Sequence, residues 1–416
     1  MSKPHICVLT GGHLSTCPRM LKAADAFHDA GYRVTMVSSR FMGWAWDADL
    51  ELRRTRAWEW RVIDQSPRSG TWNYVRTGIE HRLCRAIARI MTPRRCPEGI
   101  ARRAFGRIHS ELVREALAVK ADFYYGGTAG TVAAVAEAAG LAHKPYGLDL
   151  EDFHSGEHQS TAKGWLDNEL GERVEGPILL PAKFLTTAGR AMADAYERKY
   201  GIRPLPINNV FPLPEQEPDF EPSSADGLRF YWFGQTIGLD KGLQTVVEAV
   251  GLAGLRAEMH LRGRPLPDFV RYLTKLQERV APGLRITWSE AVASNLMVDM
   301  CRGHDFGLAV LPKSDVPNLQ IAFLNKTLTY MLAGLALVLA DTPGQVEIAE
   351  EMGEHALLYA PDDAAQLAAG LRRMADDPAR LRRARQASWQ AAKRRWHWEH
   401  DEERGALLRV LAEALR

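Results

Sequence analysis

Cysteine is scarce in this chain: Cys7, Cys17, Cys84, Cys96 and Cys301 are the five in 416 residues. They are scattered, with no C-x-x-C pair and no histidine cluster at zinc spacing. That argues against a disulfide framework or a structural zinc site, and an odd count without a framework fits a reducing compartment. Long apolar runs are also missing. The longest, Leu328 to Ala340, is broken by Thr329 and Gly334. It falls short of the ~20 residues a membrane span needs and reads as a helix end followed by a buried strand. The apolar stretch from Lys3 to Thr10 stops at Gly11-Gly12, too soon for a signal peptide. Charge of one sign is not in excess: 53 Lys and Arg face 51 Asp and Glu, a net of +2. Bulk charge therefore names no partner, and no nucleic-acid ligand is expected. There is no short-period repeat or low-complexity tract. Neither a Walker loop nor a G-x-G-x-x-G fingerprint is present, which removes support from kinase and dehydrogenase readings. The chain is expected to be cytoplasmic, at most touching the inner face of a membrane.

What is present is an alternation of short apolar runs, glycines and amphipathic helices. His5 to Thr10 is a strand, Gly11-Gly12 follows, and Pro18 to Ala30 has helical spacing with Met20, Leu21, Ala24 and Phe27 on one face. Gly31 ends that helix and Arg33 to Ser38 is the next strand. This order opens a parallel α/β domain. It recurs at Asp122 to Tyr125, Gly126-Gly127 and a helix from Thr131 to Ala139, with strands at Pro145 to Asp149 and Lys183 to Thr187. From Arg203 to Pro222 six prolines exclude helix interior and central strand. Alternation then restarts: strand Leu228 to Phe233, helix Gly242 to Val250, strand Glu258 to Leu261, strands at Arg285 to Thr287 and Phe306 to Val310, helix Asn325 to Ala333, strand Ala336 to Leu339. The length suits two such domains, and we set the boundary between residues 205 and 206.

The segment 77–120 stands apart. Nine arginines, among them Arg82, Arg89, Arg94, Arg95, Arg102 and Arg103, are interleaved with Ile79, Leu83, Ile87 and Ile90 at helical spacing. A basic amphipathic helix can lie on an anionic membrane surface. The same pattern also fits a solvated helix whose arginine stems cover apolar surface.

Three polar motifs are candidates for chemistry. In Phe230-Tyr-Trp-Phe-Gly-Gln-Thr-Ile-Gly-Leu-Asp-Lys-Gly-Leu a strand is expected to run into Gly234, with a loop and then a helix opened by Lys241-Gly242. A helix N-terminus favours a phosphate, Gly234 lets a ligand approach, and Lys241 supplies a charge. An ordinary strand–helix turn with a surface lysine fits as well. Asp149-Leu-Glu-Asp-Phe-His-Ser-Gly-Glu follows an apolar strand, at the carboxyl end where open α/β sheets bind ligands. Here His154, flanked by Asp149, Glu151, Asp152 and Glu157, can orient a hydroxyl, act as a base or bind metal. Asp47-Ala-Asp49 has metal-binding D-x-D spacing but sits beside Trp44 and Trp46, and chance explains it better.

At the 230–243 segment the chain resembles the GT-B glycosyltransferases, in particular retaining glycosyltransferase family four. Ser15-Thr-Cys-Pro-Arg-Met-Leu-Lys-Ala-Ala, Asn209-Val-Phe-Pro, His260-Leu-Arg-Gly-Arg, Phe306-Gly-Leu-Ala-Val-Leu-Pro, Asn325-Lys-Thr-Leu-Thr-Tyr-Met-Leu-Ala-Gly and Ala360-Pro-Asp-Asp resemble further elements of that family in the right order. The resemblance implies an α/β fold of two Rossmann-like doubly wound domains facing an interdomain cleft. It implies an acceptor-side domain over 1–205 and a donor domain over 206–395. A final helix, 396–416, crosses back to the first domain, with Trp396, His397, Trp398 and His400 in packing roles. It also implies a nucleotide-diphosphate sugar as donor substrate, no cofactor, no metal, and retention of configuration. The acceptor would be a glycan, a lipid-linked sugar or a small molecule. The implied donor-binding set is Gly234, Gln235, Lys241, Arg264, Asn325, Lys326 and Tyr330. The implied catalytic set is His154, Asp149 and Asp152, with Gly11, Gly12 and Glu157 on the acceptor-side loop.

Two family positions are changed. Gln235 stands where an arginine is usual, and Thr329 stands where a ribose-binding glutamate is usual. The first of the family's paired glutamates is absent from Leu319 to Phe323. Gln235 and Thr329 keep open a non-catalytic transferase-like binding partner, and the same two halves and nucleotide site would also serve a GT-B sugar-nucleotide 2-epimerase.

Overall fold

The computed structural model describes residues 3–159, 161–221 and 227–416. The chain divides into two compact units. The first comprises Met1–Asn208, Asp315–Ala322 and Asp401–Arg416; the second comprises Asn209–Ser314 and Phe323–His400.

The first unit holds β1 (His5–Thr10), β2 (Arg33–Arg40), β3 (Glu59–Asp64), β4 (Phe123–Gly127), β5 (Tyr146–Leu150), β6 (Phe184–Thr187) and β7 (Leu205–Pro206). They form one sheet in the order β3-β2-β1-β4-β5-β6-β7, with parallel pairing throughout. β1, β4 and β5 are buried along their whole length, which is why they read as unbroken apolar runs. β3 was not expected. Its sequence, Glu-Trp-Arg-Val-Ile-Asp, is half charged and half apolar because it forms the sheet edge, where only Ile63 is buried. Gly126 and Gly127, expected after β4, complete it instead. A side chain at Gly126 would meet Leu9 and Val135, and one at Gly127 would meet Asp149. The helix Pro18–Asp29 buries the four predicted residues. The basic segment resolves into helices Thr71–Met91, Glu98–Phe105 and His109–Val119.

The second unit holds β8 (Leu228–Ile237), β9 (Ala257–Pro265), β10 (Leu284–Ser289), β11 (Phe306–Ala309), β12 (Ala336–Ala340) and β13 (Ala356–Tyr359), ordered β10-β9-β8-β11-β12-β13 and again parallel. Both sheets are therefore doubly wound, as expected, with the strand order reversing beside β1 and beside β8. β8 does not stop at Phe233. It passes through a bulge between Phe233 and Thr236, so Gly234 and Gln235 lie in the strand end rather than in a free loop.

Two segments depart from a simple split. The short helix Pro317–Ile321 belongs to the first unit and buries Ile321 in its core. The returning segment starts at Asp401. There Glu403 accepts hydrogen bonds from the Asn208 backbone N–H and side-chain amide, and Arg404 pairs with Asp29 at 3.2 Å. Trp396 remains in the second unit, stacked on Phe323 with centroids 5.7 Å apart. Among the described residues no helix is long and apolar enough to cross a membrane.

Candidate functional site

In the first unit the candidate residues gather beyond β5. Asp149 is buried and its carboxylate is fully engaged. Arg19 Nε donates to Oδ2 at 2.7 Å, Arg19 Nη2 donates to Oδ1, and Thr186 donates to Oδ1 at 2.6 Å. Arg19 also donates to the Ile207 carbonyl. Burial opposes the guanidinium charge, but Asp149 overrides it and raises the Arg19 pKa. Asp149 thus fastens helix Pro18–Asp29 to β5. Buried at 1% exposure and bound at both oxygens, it acts as a positioning residue rather than the catalytic one expected.

His154 is 2% exposed and opens a single turn, His154–Gly156. Its Nδ1 lies 3.4 Å from Glu157 Oε2, and its Nε2 is buried without a partner. Burial disfavours the imidazolium, but Glu157, Glu175 and Asp152 outweigh it and raise its pKa to about 9. Glu175 beneath it is buried and accepts hydrogen bonds from Tyr196 at 2.6 Å and Tyr200 at 2.7 Å. A ring protonated at neutral pH cannot take up a proton, which removes the base role among the three expected of His154, namely orienting a hydroxyl, acting as a base and binding metal. It is a buried cation that ties Glu157 and Glu175 into one cluster.

Asp152 accepts from the Asn318 side-chain amide at 3.0 Å, and burial raises its pKa. Glu151 differs from its neighbours. It makes no hydrogen bond or ion pair among the described residues, and burial pushes its carboxyl up to about 7, with Arg19 opposing. Burial also brings Lys22, a near neighbour in charge, down to about 7. Glu151 is thus the group of this stretch poised to exchange a proton near neutrality. The sequence reading named it only as a neighbour of His154, because its isolation depends on Arg19 and Asn318 occupying the other two carboxylates.

The Gly11-Gly12 turn follows β1. Gly11 N–H donates to Thr131 Oγ1 at 2.7 Å, and the Gly11 carbonyl accepts from Ser39 Oγ at 2.6 Å. Next in the chain, His13 is buried. Its Nε2 accepts the backbone N–H groups of Phe41 at 3.1 Å and Met42 at 3.0 Å. The proton therefore sits on Nδ1, which donates to Asp49 Oδ2 at 2.6 Å. Asp49 Oδ1 takes the Ser15 N–H at 2.7 Å. The second carboxylate of Asp47-Ala-Asp49 is thus an internal anchor. Trp46 packs on Trp60 at 5.3 Å and under the Arg40 guanidinium at 4.6 Å.

In the second unit the turn after β8 carries Lys241 and Gly242. Gly242 is left-handed, with φ +73, and a Cβ there would lie 2.8 Å from the Leu311 carbonyl carbon, so only glycine fits. The helix Leu243–Ala253 starts immediately after. Lys241 Nζ reaches Asp240 Oδ2 at 2.5 Å. Lys326, in the first turn of helix Asn325–Leu332, lies with Nζ 4.1 Å from the ring centroid of Trp232. Burial, then Lys241, pushes its pKa down to about 7. Asn325 Oδ1 beside it is buried without a partner. Lys241 has Asp240 as its anion, whereas Lys326 makes no ion pair among the described residues, an arrangement that suits a further anion.

Gln235 and Arg264 are exposed. Tyr330 is not available to a ligand: it is fully buried, its ring lies against Gly307 and 5.6 Å from Phe233, and its hydroxyl reaches the Leu308 carbonyl. Thr329, in the place of the usual glutamate, is also buried and bonds back to the Asn325 carbonyl.

No family model matches the chain, and no curated protein matches it by sequence. Solved structures match over its full length. HepE of Anabaena, in complex with UDP and glucose, is 18% identical and has a TM-score of 0.68, covering 99% of each chain. Sucrose-phosphate synthase of Thermosynechococcus elongatus is 15% identical at a TM-score of 0.68, covering 99% of this chain and 100% of its own. S. aureus TarM, in a complex that includes UDP, is 7% identical at 0.66, covering 99% and 100%. The chain has the GT-B fold. Within the second GT-B unit Gly234 lies in the end of β8, Lys241 in the turn after it, and Asn325 and Lys326 in the first turn of helix Asn325–Leu332, and Tyr330 is core. Within the first unit Asp149 lies in β5 and Asp152, His154 and Glu157 share the loop after it, and the missed members are Arg19, Glu151, Glu175 and Asn318. Only Glu151 had a local signal, an acid directly after a buried strand.

Proposed function

We propose that the protein is a glycosyltransferase that moves a sugar from a nucleotide-diphosphate sugar to an acceptor hydroxyl. The observation that carries this reading is the Lys326–Lys241 pair. Lys326 is held near pKa 7, without an ion pair among the described residues, over Trp232 and in the first turn of helix Asn325–Leu332, with Lys241 as a charged neighbour. A diphosphate would bring it the missing charge. The GT-B neighbours HepE and TarM, solved with UDP, support the same ligand class.

In this reading the second unit holds the diphosphate through Lys241, Lys326 and the helix N-terminus, with Arg264 in reach from the surface. The acceptor oxygen forms a bond to the anomeric carbon, and the bond from that carbon to the phosphate oxygen breaks. The nucleotide diphosphate leaves with the electron pair. We assign retention, with the acceptor proton passing to the leaving phosphate on the attacked face, and no metal step is included. Glu151 replaces His154 as the first unit's titratable group near the acceptor. Asp149, Asp152 and His154 hold its loop. The acceptor is a glycan, a lipid-linked sugar or a small molecule.

A thermal-shift panel of uridine, guanosine, adenosine and thymidine diphosphates and their sugars tests the reading. Ligand at 100-fold above its dissociation constant should stabilise the protein by about 2.7 kcal/mol. A response to at least one is expected, lost in Lys241→Ala and Lys326→Gln. No response to any would remove the transferase reading and leave a transferase-like fold without its donor.

A further inference from the structure

We infer that helix Thr71–Met91 docks the protein on an anionic lipid surface. This helix is apolar on two opposite faces. Thr77, Cys84 and Ala88 are buried and attach it to the first unit. Trp72, Ile79, Leu83 and Ile90 are exposed by 75%, 53%, 59% and 83%. At 3.6 residues per turn these four fall within about 40° of one another, on the side away from the buried face. Val75 and Ile87 widen the stripe and are exposed too. An isolated exposed leucine is ordinary, whereas a stripe along the outer side of a 21-residue helix is not.

Charge selects the occupant. Arg82 and Arg89 lie along one border of the stripe, and Arg95 follows the helix; all three are exposed and make no ion pair among the described residues. Glu80, near the other border, is neutralised by Arg103 at 2.9 Å and Arg76 at 3.5 Å. The arginines further along the segment are not free for this purpose. Arg94 is paired with Glu169 at 3.1 Å, and Arg102 with Glu137 at 2.7 Å. An apolar stripe with a tryptophan at one end and uncompensated arginines along its edge matches an interface of acyl chains beneath anionic headgroups. Of the two readings open for the basic segment this favours the membrane contact and places it on the first helix.

Cosedimentation of the full chain with vesicles tests this. One set is phosphatidylcholine alone, the other phosphatidylcholine and phosphatidylglycerol in equal parts. Binding to the anionic vesicles is expected, weakening as salt rises. The double variant Arg82→Glu, Arg89→Glu should lose at least the roughly fivefold per arginine that a basic residue near such a surface contributes. Ile79→Ser with Leu83→Ser should lose tenfold or more, while melting at the parent temperature because both side chains are exposed. No binding to anionic vesicles, or unchanged binding by the serine variant, would overturn the inference. So would a parent dimer that the serine variant turns into monomers, since the stripe would then join two copies. The nucleotide-induced thermal shift should persist in both variants, so this inference and the transferase reading fail separately.

Discussion

Asn318 holds Asp152 across 166 residues of chain. Its side-chain N–H donates to Asp152 Oδ1 at 3.0 Å, while its Oδ1 accepts the Phe153 backbone N–H at 2.8 Å. The backbone N–H can only donate, which fixes the orientation of the amide. The short helix Pro317–Ile321 therefore sets the loop that carries Glu151, Asp152 and His154.

Asn318→Ala should cost about 1–3 kcal/mol of stability, the penalty for leaving buried polar groups unpaired. Asn318→Asp should cost more, because a carboxylate would then face Asp152. Thermal denaturation reads both. A parent-like melting temperature for the alanine variant would mean that the loop stands without this contact.

His154 gives the fold a pH dependence of definite sign. Its pKa rises from 6.5 in the unfolded chain to about 9 in the folded one. Its contribution, on the order of 3 kcal/mol, is complete below pH 6.5 and lost as pH climbs to about 9. Lys326 and Lys22, held down to about 7, act in the opposite sense above that pH. The stability difference between parent and His154→Gln isolates the histidine, and it should shrink from pH 6.5 to 9. A constant difference would show that the ring is uncharged.

Glu151→Gln should lower turnover and abolish a limb near pH 7 in the pH–rate profile, because Glu151 is the first unit's group that titrates there. The nucleotide-induced thermal shift should stay at the parent level. An unchanged profile would make Glu151 a structural acid.

The two sheets were legible because β1, β4, β5, β11 and β12 are buried throughout and read as plain apolar runs. β3 was not, since its edge position lets three charged residues interrupt the apolar ones. The site was legible only as a neighbourhood. Asp149 and His154 look reactive in sequence, but Arg19, 130 residues away, pairs with one, and Glu157 with Glu175 favours the charged form of the other. Nothing in the local pattern tells a surface Tyr330 from a buried one; Gly307, across the turn between helix and strand, makes the hollow that its ring fills. Asn318 belongs to a stretch whose neighbours on both sides lie in the other unit, and no spacing rule points from there to Asp152.

The central claim is that Lys326 and Lys241 hold a nucleotide diphosphate, and calorimetric titration at pH 8 tests it most directly. Lys326 is mostly neutral there in the free protein, and bound diphosphate raises its pKa. At least one nucleoside diphosphate should bind with uptake of a proton, revealed by a heat that depends on the buffer's ionisation enthalpy. Affinity should fall as pH rises above 7, and Lys326→Gln should bind more weakly with no proton uptake. Absence of binding by all four diphosphates, or binding with no proton uptake in the parent, would contradict the account.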